Sequence, residues 1–273
     1  MSRSAASVPY AARALVLRTR QLGEKDRIVV LFSPERGRIS AVAKGARGPK
    51  SKLAALAQPF VIARFLLVTG RSLHIVSQAQ IETSHAGLSA SIFATAWAYF
   101  VLEVADTIPE GLPDERGFEI AEVALNTLEN APDDDAREAA GIWFEIQWLA
   151  HQGFAPTVGF CVECARKISA PPDGDARVWF APNLGGTLCD ECAHRDGGAL
   201  RVGVASLRAL HRLERSNRAP ASLGEAPFNL DAHSSAELGQ CVRRSTLSHI
   251  APRFKSLPFL EELRAARRVR AKE

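Results

Sequence analysis

Residues 26–44 read DRIVVLFSPERGRISAVAK, and this stretch decides the fold. Asp26–Phe32 and Arg38–Lys44 are short runs rich in Val, Ile, Leu and Phe, with the length and β-branched content of strands. Between them, Ser33-Pro34-Glu35-Arg36-Gly37 puts Pro and Gly where a hairpin reversal needs them. Outward from this hairpin lie three similar runs, Ala12–Arg18, Pro59–Val68 and Leu73–Ile81, with a second reversal at Val68–Ser72. Five strands in the first 80 residues predict a small β-barrel. The five-stranded OB type is the leading assignment, with an SH3-like barrel left open by strand count alone.

Beyond Glu82 the pattern changes to Ala-rich segments with apolar residues at helical spacing. Helices are expected over Ser89–Ile108, Asp114–Leu128, Asp133–His151, Val204–Asn217, Ser234–Phe254 and Phe259–Arg270. Arg218–Leu230, with Pro220, Gly224 and Pro227, reads as a loop. Trp97, Phe100, Trp143, Phe144 and Trp148 sit at core spacing on these helices. The expected class is α+β and multidomain: a basic OB-fold at 1–82, a helical domain at 83–158 and 199–273, and a four-cysteine zinc ribbon inserted at 159–198. No run approaches the roughly 18 apolar residues of a membrane span, and Met1–Tyr10 lacks a signal-peptide core. A cytoplasmic location follows as the expectation.

Charge is distributed unevenly. Residues 1–80 carry 14 Lys or Arg against 3 Asp or Glu, residues 81–160 carry 2 against 14, and residues 161–273 carry 18 against 13. The formal net charge of +4 therefore conceals an amino-terminal excess of 11 positive charges. A folded module so biased attracts a polyanion, because each neutralised phosphate releases condensed counterions.

Two constellations carry chemistry. Cys161-Val162-Glu163-Cys164 and Cys189-Asp190-Glu191-Cys192 are two Cys-x-x-Cys pairs at zinc-ribbon spacing. Cys161, Cys164, Cys189 and Cys192 supply a closed tetrahedral shell with no open position, hence structural Zn2+. Arg177–Phe180 can form a strand between them, and Gly185-Gly186 can turn the chain back. His194 is a spare ligand candidate, and Cys241 is expected to be a small buried apolar residue.

The second constellation is Lys44-Gly45-Ala46-Arg47-Gly48-Pro49-Lys50-Ser51-Lys52, between the third and fourth strands. Its glycine spacing fails the Walker pattern and Pro49 removes a backbone donor, so it reads as a flexible basic loop that grips phosphates. The candidate DNA contacts are Arg27, Arg38, Lys44, Arg47, Lys50 and Lys52. The basic part has few aromatics, so binding through phosphates leaves base edges free, a route to annealing single strands without ATP. No catalytic constellation is visible: there is no nucleophile elbow, no His-Glu-x-x-His and no dinucleotide fingerprint. A non-enzyme is expected.

Taken in order, ALVLRTR (14–20), GEKDRIVVLFS (23–33), AKGAR (43–47), LAHQGFAP (149–156), the Cys161/Cys164 pair, GGTLC (185–189) and FKSLPFL (254–260) resemble the bacterial DNA repair family RecO across nearly the whole chain. The resemblance implies a recombination mediator that anneals complementary strands and helps RecA displace single-stranded DNA-binding protein, with RecR as partner. It also implies a pocket in the helical region for the acidic tail of single-stranded DNA-binding protein. Arg243, Arg244, Arg253 and Lys255 are the candidate contacts, expected to fold back beside the acidic middle segment, because an acidic tail needs local positive charge. The rival readings are a zinc-ribbon transcription or replication accessory factor that binds duplex DNA, and a nuclease.

Overall fold

The computed structural model describes residues 9–48, 51–70, 72–169 and 176–270. Five strands, β1 (Pro9–Leu22), β2 (Asp26–Ser33), β3 (Gly37–Ala43), β4 (Ile62–Val68) and β5 (His74–Thr83), close a barrel in the order β1-β2-β3-β5-β4. All neighbours are antiparallel except β3 and β5, whose short parallel pairing, Ala41 with His74 and Val42 with Ile75, completes the closure. The OB-type barrel is as expected. The β1–β2 turn at 23–25, Ser33–Gly37 and the β4–β5 connection are its hairpin reversals.

Between β3 and β4 the chain makes a short helix, α1 (Lys52–Leu56), whose cap Ser51 accepts the Leu53 N–H. The strand period explains why β2 carries an unbroken apolar run. Val29 and Leu31 fill the barrel, while Val30 and Phe32 face outward into the helical core. Leu15 and Leu17 on β1 do the same. Two covered faces remove the alternation that a half-exposed strand would show.

The helical part begins with a 3-10 turn (Ala86–Ala90), then α2 (Ile92–Ala105), α3 (Glu115–Asn130) and α4 (Asp134–His151). Ser91, Asp114 and Asp133 cap them through side-chain oxygens, each satisfying an otherwise unpaired N–H. Trp97, Phe100, Trp143, Phe144 and Trp148 are all at most 1% exposed, so the aromatic spacing marks core packing. The crossing of α2 on α4 is close: a Cβ at Gly141 would lie 2.4 Å from the Trp97 ring.

The ribbon follows, with β6 (Arg177–Ala181), β7 (Gly186–Leu188) and the four-residue helix α5 (Asp190–Ala193). Its sheet, β7-β6-β8, takes its third strand from β8 (Leu200–Gly203), past residue 198, where the sequence division ended the insert. The chain then returns to the helical core as α6 (Val204–Glu214), α7 (Ala232–His249) and α8 (Leu257–Arg270). The seventh helix stops at His249 rather than running to Phe254, because Pro252 bars helical backbone at the preceding residue. Among the described residues no helix is long and apolar enough to cross a membrane.

The charge asymmetry is partly resolved inside the fold. From the barrel, Arg13 pairs with Glu122 at 2.5 Å and with Glu82 at 2.7 Å, and Arg18 pairs with Asp106 at 2.5 Å. From the other side, Arg243 holds Glu145, Arg264 holds Glu138 and Arg267 holds Asp135, each at 2.6 Å. Both basic parts thus fold onto the acidic middle.

Candidate metal centre and nucleic-acid interface

Two knuckles bring the cysteine pairs together. The first turns at Ala165, which has φ +58°, with its N–H donating to the Cys161 carbonyl at 2.9 Å. The second is the start of α5, where the Ala193 N–H donates to the Cys189 carbonyl at 2.9 Å. The knuckles are joined across the site by an exposed double ion pair, Arg166 to Glu191, at 3.0 Å for each bond. All four Sγ atoms lie within 4.8 Å of one another. A tetrahedral thiolate shell with metal–sulfur bonds of about 2.3 Å has edges of about 3.8 Å. The Cys164 and Cys189 sulfurs are 3.7 Å apart, so the donor set fits such an ion.

The protonation pattern agrees with a cation-binding role. Burial works against a Cys161 thiolate, but backbone N–H groups of Cys189, Cys164 and Glu163 bring its pKa down to about 6. Cys192 is pushed far above the ordinary thiol range by its hydrogen bond to Cys189 and by burial. Cys164 is also raised: the Arg166 backbone N–H opposes this, and the hydrogen bonds with Cys161 and Cys189, together with desolvation, prevail. Four crowded sulfurs favour full ionisation only around a positive ion. His194 is exposed and outside the cluster, and Cys241 is buried with its thiol pushed up to about 12 by desolvation.

The candidate DNA contacts divide into groups. Arg38 is committed to the helical part, donating to the Asp106 carbonyl at 3.0 Å and pairing with its carboxylate at 3.5 Å. Arg27 shares the strand parity of Val29 and Leu31 and sits half-buried at the end of the barrel interior, with its Nε unpaired. Lys44 and Arg47 are exposed. Lys50 lies outside the described residues, and Lys52 opens α1.

The basic loop is not flexible chain over residues 44–48. The Gly45 N–H donates to the Asp26 carboxylate at 2.8 Å, the Arg47 N–H to the Lys25 carbonyl at 3.0 Å, and the Arg47 guanidinium to the Gly23 carbonyl at 2.7 Å. These bonds lash the loop to the β1–β2 turn. They also bring in two exposed cations that the sequence reading passed over, Lys25 in that turn and Arg20 at the end of β1. The signal was the turn itself, since the loops at a barrel's end are where OB folds meet oligonucleotides.

The partner candidates also separate. Arg243 is 5% exposed, gripping Glu145 through two bonds of 2.6 and 2.7 Å and lying over Phe100 and Trp97. Arg244 is exposed and lines a cleft of about 610 Å³ between β8, α7 and α8, beside Arg201, Leu247 and Leu257. Arg253 and Lys255 are exposed but lie outside the lining of that cleft.

The family model described as "Recombination protein O N terminal" matches residues 8–85, and "Recombination protein O C terminal" matches residues 89–258. The chain belongs to the RecO family. A DNA repair protein RecO from Symbiobacterium thermophilum is 33% identical over 259 residues, covering 94% of this chain and 99% of that protein. Those from Pelotomaculum thermopropionicum and Heliobacterium modesticaldum are 32% and 31% identical, covering 92% and 86% of this chain and 93% and 84% of their own. With the RecO family comes a role in DNA repair.

Proposed function

We propose that this RecO-family chain is a non-enzymatic recombination mediator. It binds single-stranded DNA at the loop end of the barrel, anneals complementary strands and, with RecR, assists RecA loading onto DNA coated by single-stranded DNA-binding protein. The supporting observation is the group of exposed cations, Arg20, Lys25, Lys44 and Arg47, where the β1–β2 turn is lashed to the β3–β4 loop. Arg27 extends this contact, with Lys50 and Lys52 kept as the sequence suggests them, whereas Arg38 serves the fold.

The chemistry requires no reacting group. Guanidinium and ammonium groups hold phosphates, the base edges stay unread, and two neutralised strands approach without mutual repulsion. The four thiolates hold zinc as a structural ion that fixes the ribbon. The acidic tail of single-stranded DNA-binding protein meets Arg244, Arg253 and Lys255, whose head groups are exposed, while Arg243 is withdrawn into the core.

The test is fluorescence anisotropy of a labelled oligo(dT) as a function of KCl, with the wild type and a Lys25→Gln, Lys44→Gln, Arg47→Gln variant. Each lost phosphate contact lowers the salt slope by about 0.7 for a single strand, so the triple variant is expected to lose about 2. An unchanged slope would remove the barrel's loop end as the site. Cleavage products from labelled DNA incubated with divalent metal would overturn the non-enzymatic reading.

A further inference from the structure

Arginines in this fold are commonly engaged with carboxylates, as Arg13, Arg18, Arg243, Arg264 and Arg267 are. The sixth helix instead gathers several that are not. From Arg208 to Arg218 the chain carries four arginines against a single acid, Glu214, which faces His211 at 3.6 Å. Arg208, Arg212 and Arg215 are spaced by four and three residues, so they share one face of the helix line, and Arg218 follows just beyond it. All four are exposed, while Leu207, Leu210 and Leu213 on the opposite face are buried. Among the described residues Arg208, Arg215 and Arg218 make no ion pair.

This face is rigidly mounted. At the end of α6 the Gln147 side chain donates to the Leu213 and Glu214 carbonyls at 2.8 Å each, and the Trp143 indole donates to the Ser216 carbonyl at 2.9 Å. Arg212 donates to the Pro227 carbonyl, which ties the helix to the following loop. Favourable interaction with the negative end of the helix dipole accounts for Arg212 in the last turn and Arg215 at the C-cap. It does not account for Arg208 in mid-helix or Arg218 past the end.

We infer that the Arg208–Arg218 face of α6 is a second contact surface for single-stranded nucleic acid, taking the phosphates of a strand. Unpaired guanidiniums in a row complement a chain of phosphates. An acidic peptide anchored by an apolar side chain would need an apolar seat, and α6 exposes no large hydrophobic residue. The barrel packs on α2 and α3, whereas α6 packs on α4 and α7, so the helical core separates the two surfaces. One molecule then holds two separate stretches of strand. The inference rests on the barrel reading only in calling this surface the second.

The experiment uses the full chain, labelled oligo(dT) and a KCl series. Glutamine is a good helix former, so R208Q/R215Q/R218Q keeps the helix while removing three cations. The expected result is a salt slope lower by about 2, which makes the affinity lost between 50 and 200 mM KCl smaller by a factor of about 20. R208K/R215K/R218K should restore the slope. A glutamine variant with wild-type binding and slope overturns the inference, including the case where α6 instead serves a protein partner. The Lys25, Lys44, Arg47 variant separates the two claims. If it alone loses slope, the α6 surface fails and the barrel stands; if only the α6 variant loses slope, the barrel reading fails and α6 stands.

Discussion

Replacing Arg243 by Met is expected to destabilise the fold severely without touching the surfaces proposed to bind DNA. Arg243 gives Glu145 two hydrogen bonds, at 2.6 and 2.7 Å, and both side chains are nearly inaccessible. Met conserves much of the apolar volume but leaves a carboxylate buried without its donors, which costs about 3–5 kcal/mol. The guanidinium also lies 4.4 Å from the Phe100 ring centroid and 5.1 Å from that of Trp97, contacts that Met cannot reproduce electrostatically. At about 2–4 °C per kcal/mol for a unit of this size, the melting temperature should fall by roughly 10 °C. The double variant Arg243→Met, Glu145→Leu removes the orphaned charge and should recover most of the loss, because an apolar pair often replaces a buried ion pair at little cost. Thermal and urea denaturation of the four corners of this cycle give the coupling energy, expected to exceed about 2 kcal/mol. A single variant that melts like wild type yet binds the acidic tail peptide poorly would refute the structural role and return Arg243 to the partner site.

Other outcomes follow from particular contacts. Gly37 has φ +61°, and a Cβ there would sit 2.0 Å from the Leu112 carbonyl oxygen, so Gly37→Ala should loosen the barrel from the α2–α3 loop and cost about 2–3 kcal/mol; urea unfolding measures the loss, and limited proteolysis should show faster cleavage near Leu112. Gly141→Ala drives a methyl into Trp97 and should cost a similar amount in the helical core, about 1–3 kcal/mol; an unchanged melting temperature would show that the α2–α4 crossing relaxes freely. Because the Cys164 and Cys192 thiols are shifted above the ordinary thiol range, a bound metal ion must displace a proton from each. Affinity should then rise by at least about 100-fold per pH unit over the neutral range, with Cys161 adding to this only below its pKa of about 6; proton release measured calorimetrically in two buffers checks the count. Chelation should unfold the ribbon while leaving the barrel's β signal intact, and an unaltered ribbon would make the metal dispensable to the fold.

What the sequence made legible depended on range. The barrel was readable because each strand is a local run closed by its own turn, and the Cys-x-x-Cys pairs because their spacing is itself the signal. The unbroken run Ile28–Phe32 also encoded that two cores share β2, since Val29 and Leu31 face one and Val30 and Phe32 the other. The short elements were hidden. LRVG at 200–203 becomes a strand only by pairing with β6, and α1 is five residues behind a loop that the basic composition made look mobile. Least legible were the ion pairs: Arg243 meets Glu145 across 98 positions, so nothing local distinguishes it from Arg244, which points to solvent.

The same pairing changes how the charge pattern should be read. An excess of 11 positive charges in residues 1–80 looks like a uniform attraction for DNA, yet Arg13, Arg18 and Arg38 are directed at the acidic helices. These pairs anchor the barrel to α2 and α3 and make that side electrostatically neutral or negative. On the proposed reading a polyanion is disfavoured along the helical flank and held at exposed cations such as those of the β1–β2 turn and of α6. The acidic middle acts as a fixed counterion layer. Converting Glu82, Glu122 and Asp106 to the corresponding amides should release Arg13 and Arg18, while Arg38 keeps its bond to the Asp106 backbone carbonyl, giving tighter but less productive DNA binding: a steeper salt slope with slower annealing, because strands would then spread over a face where they cannot meet. Faster annealing in that variant would show that the number of free cations, rather than their placement, sets the activity.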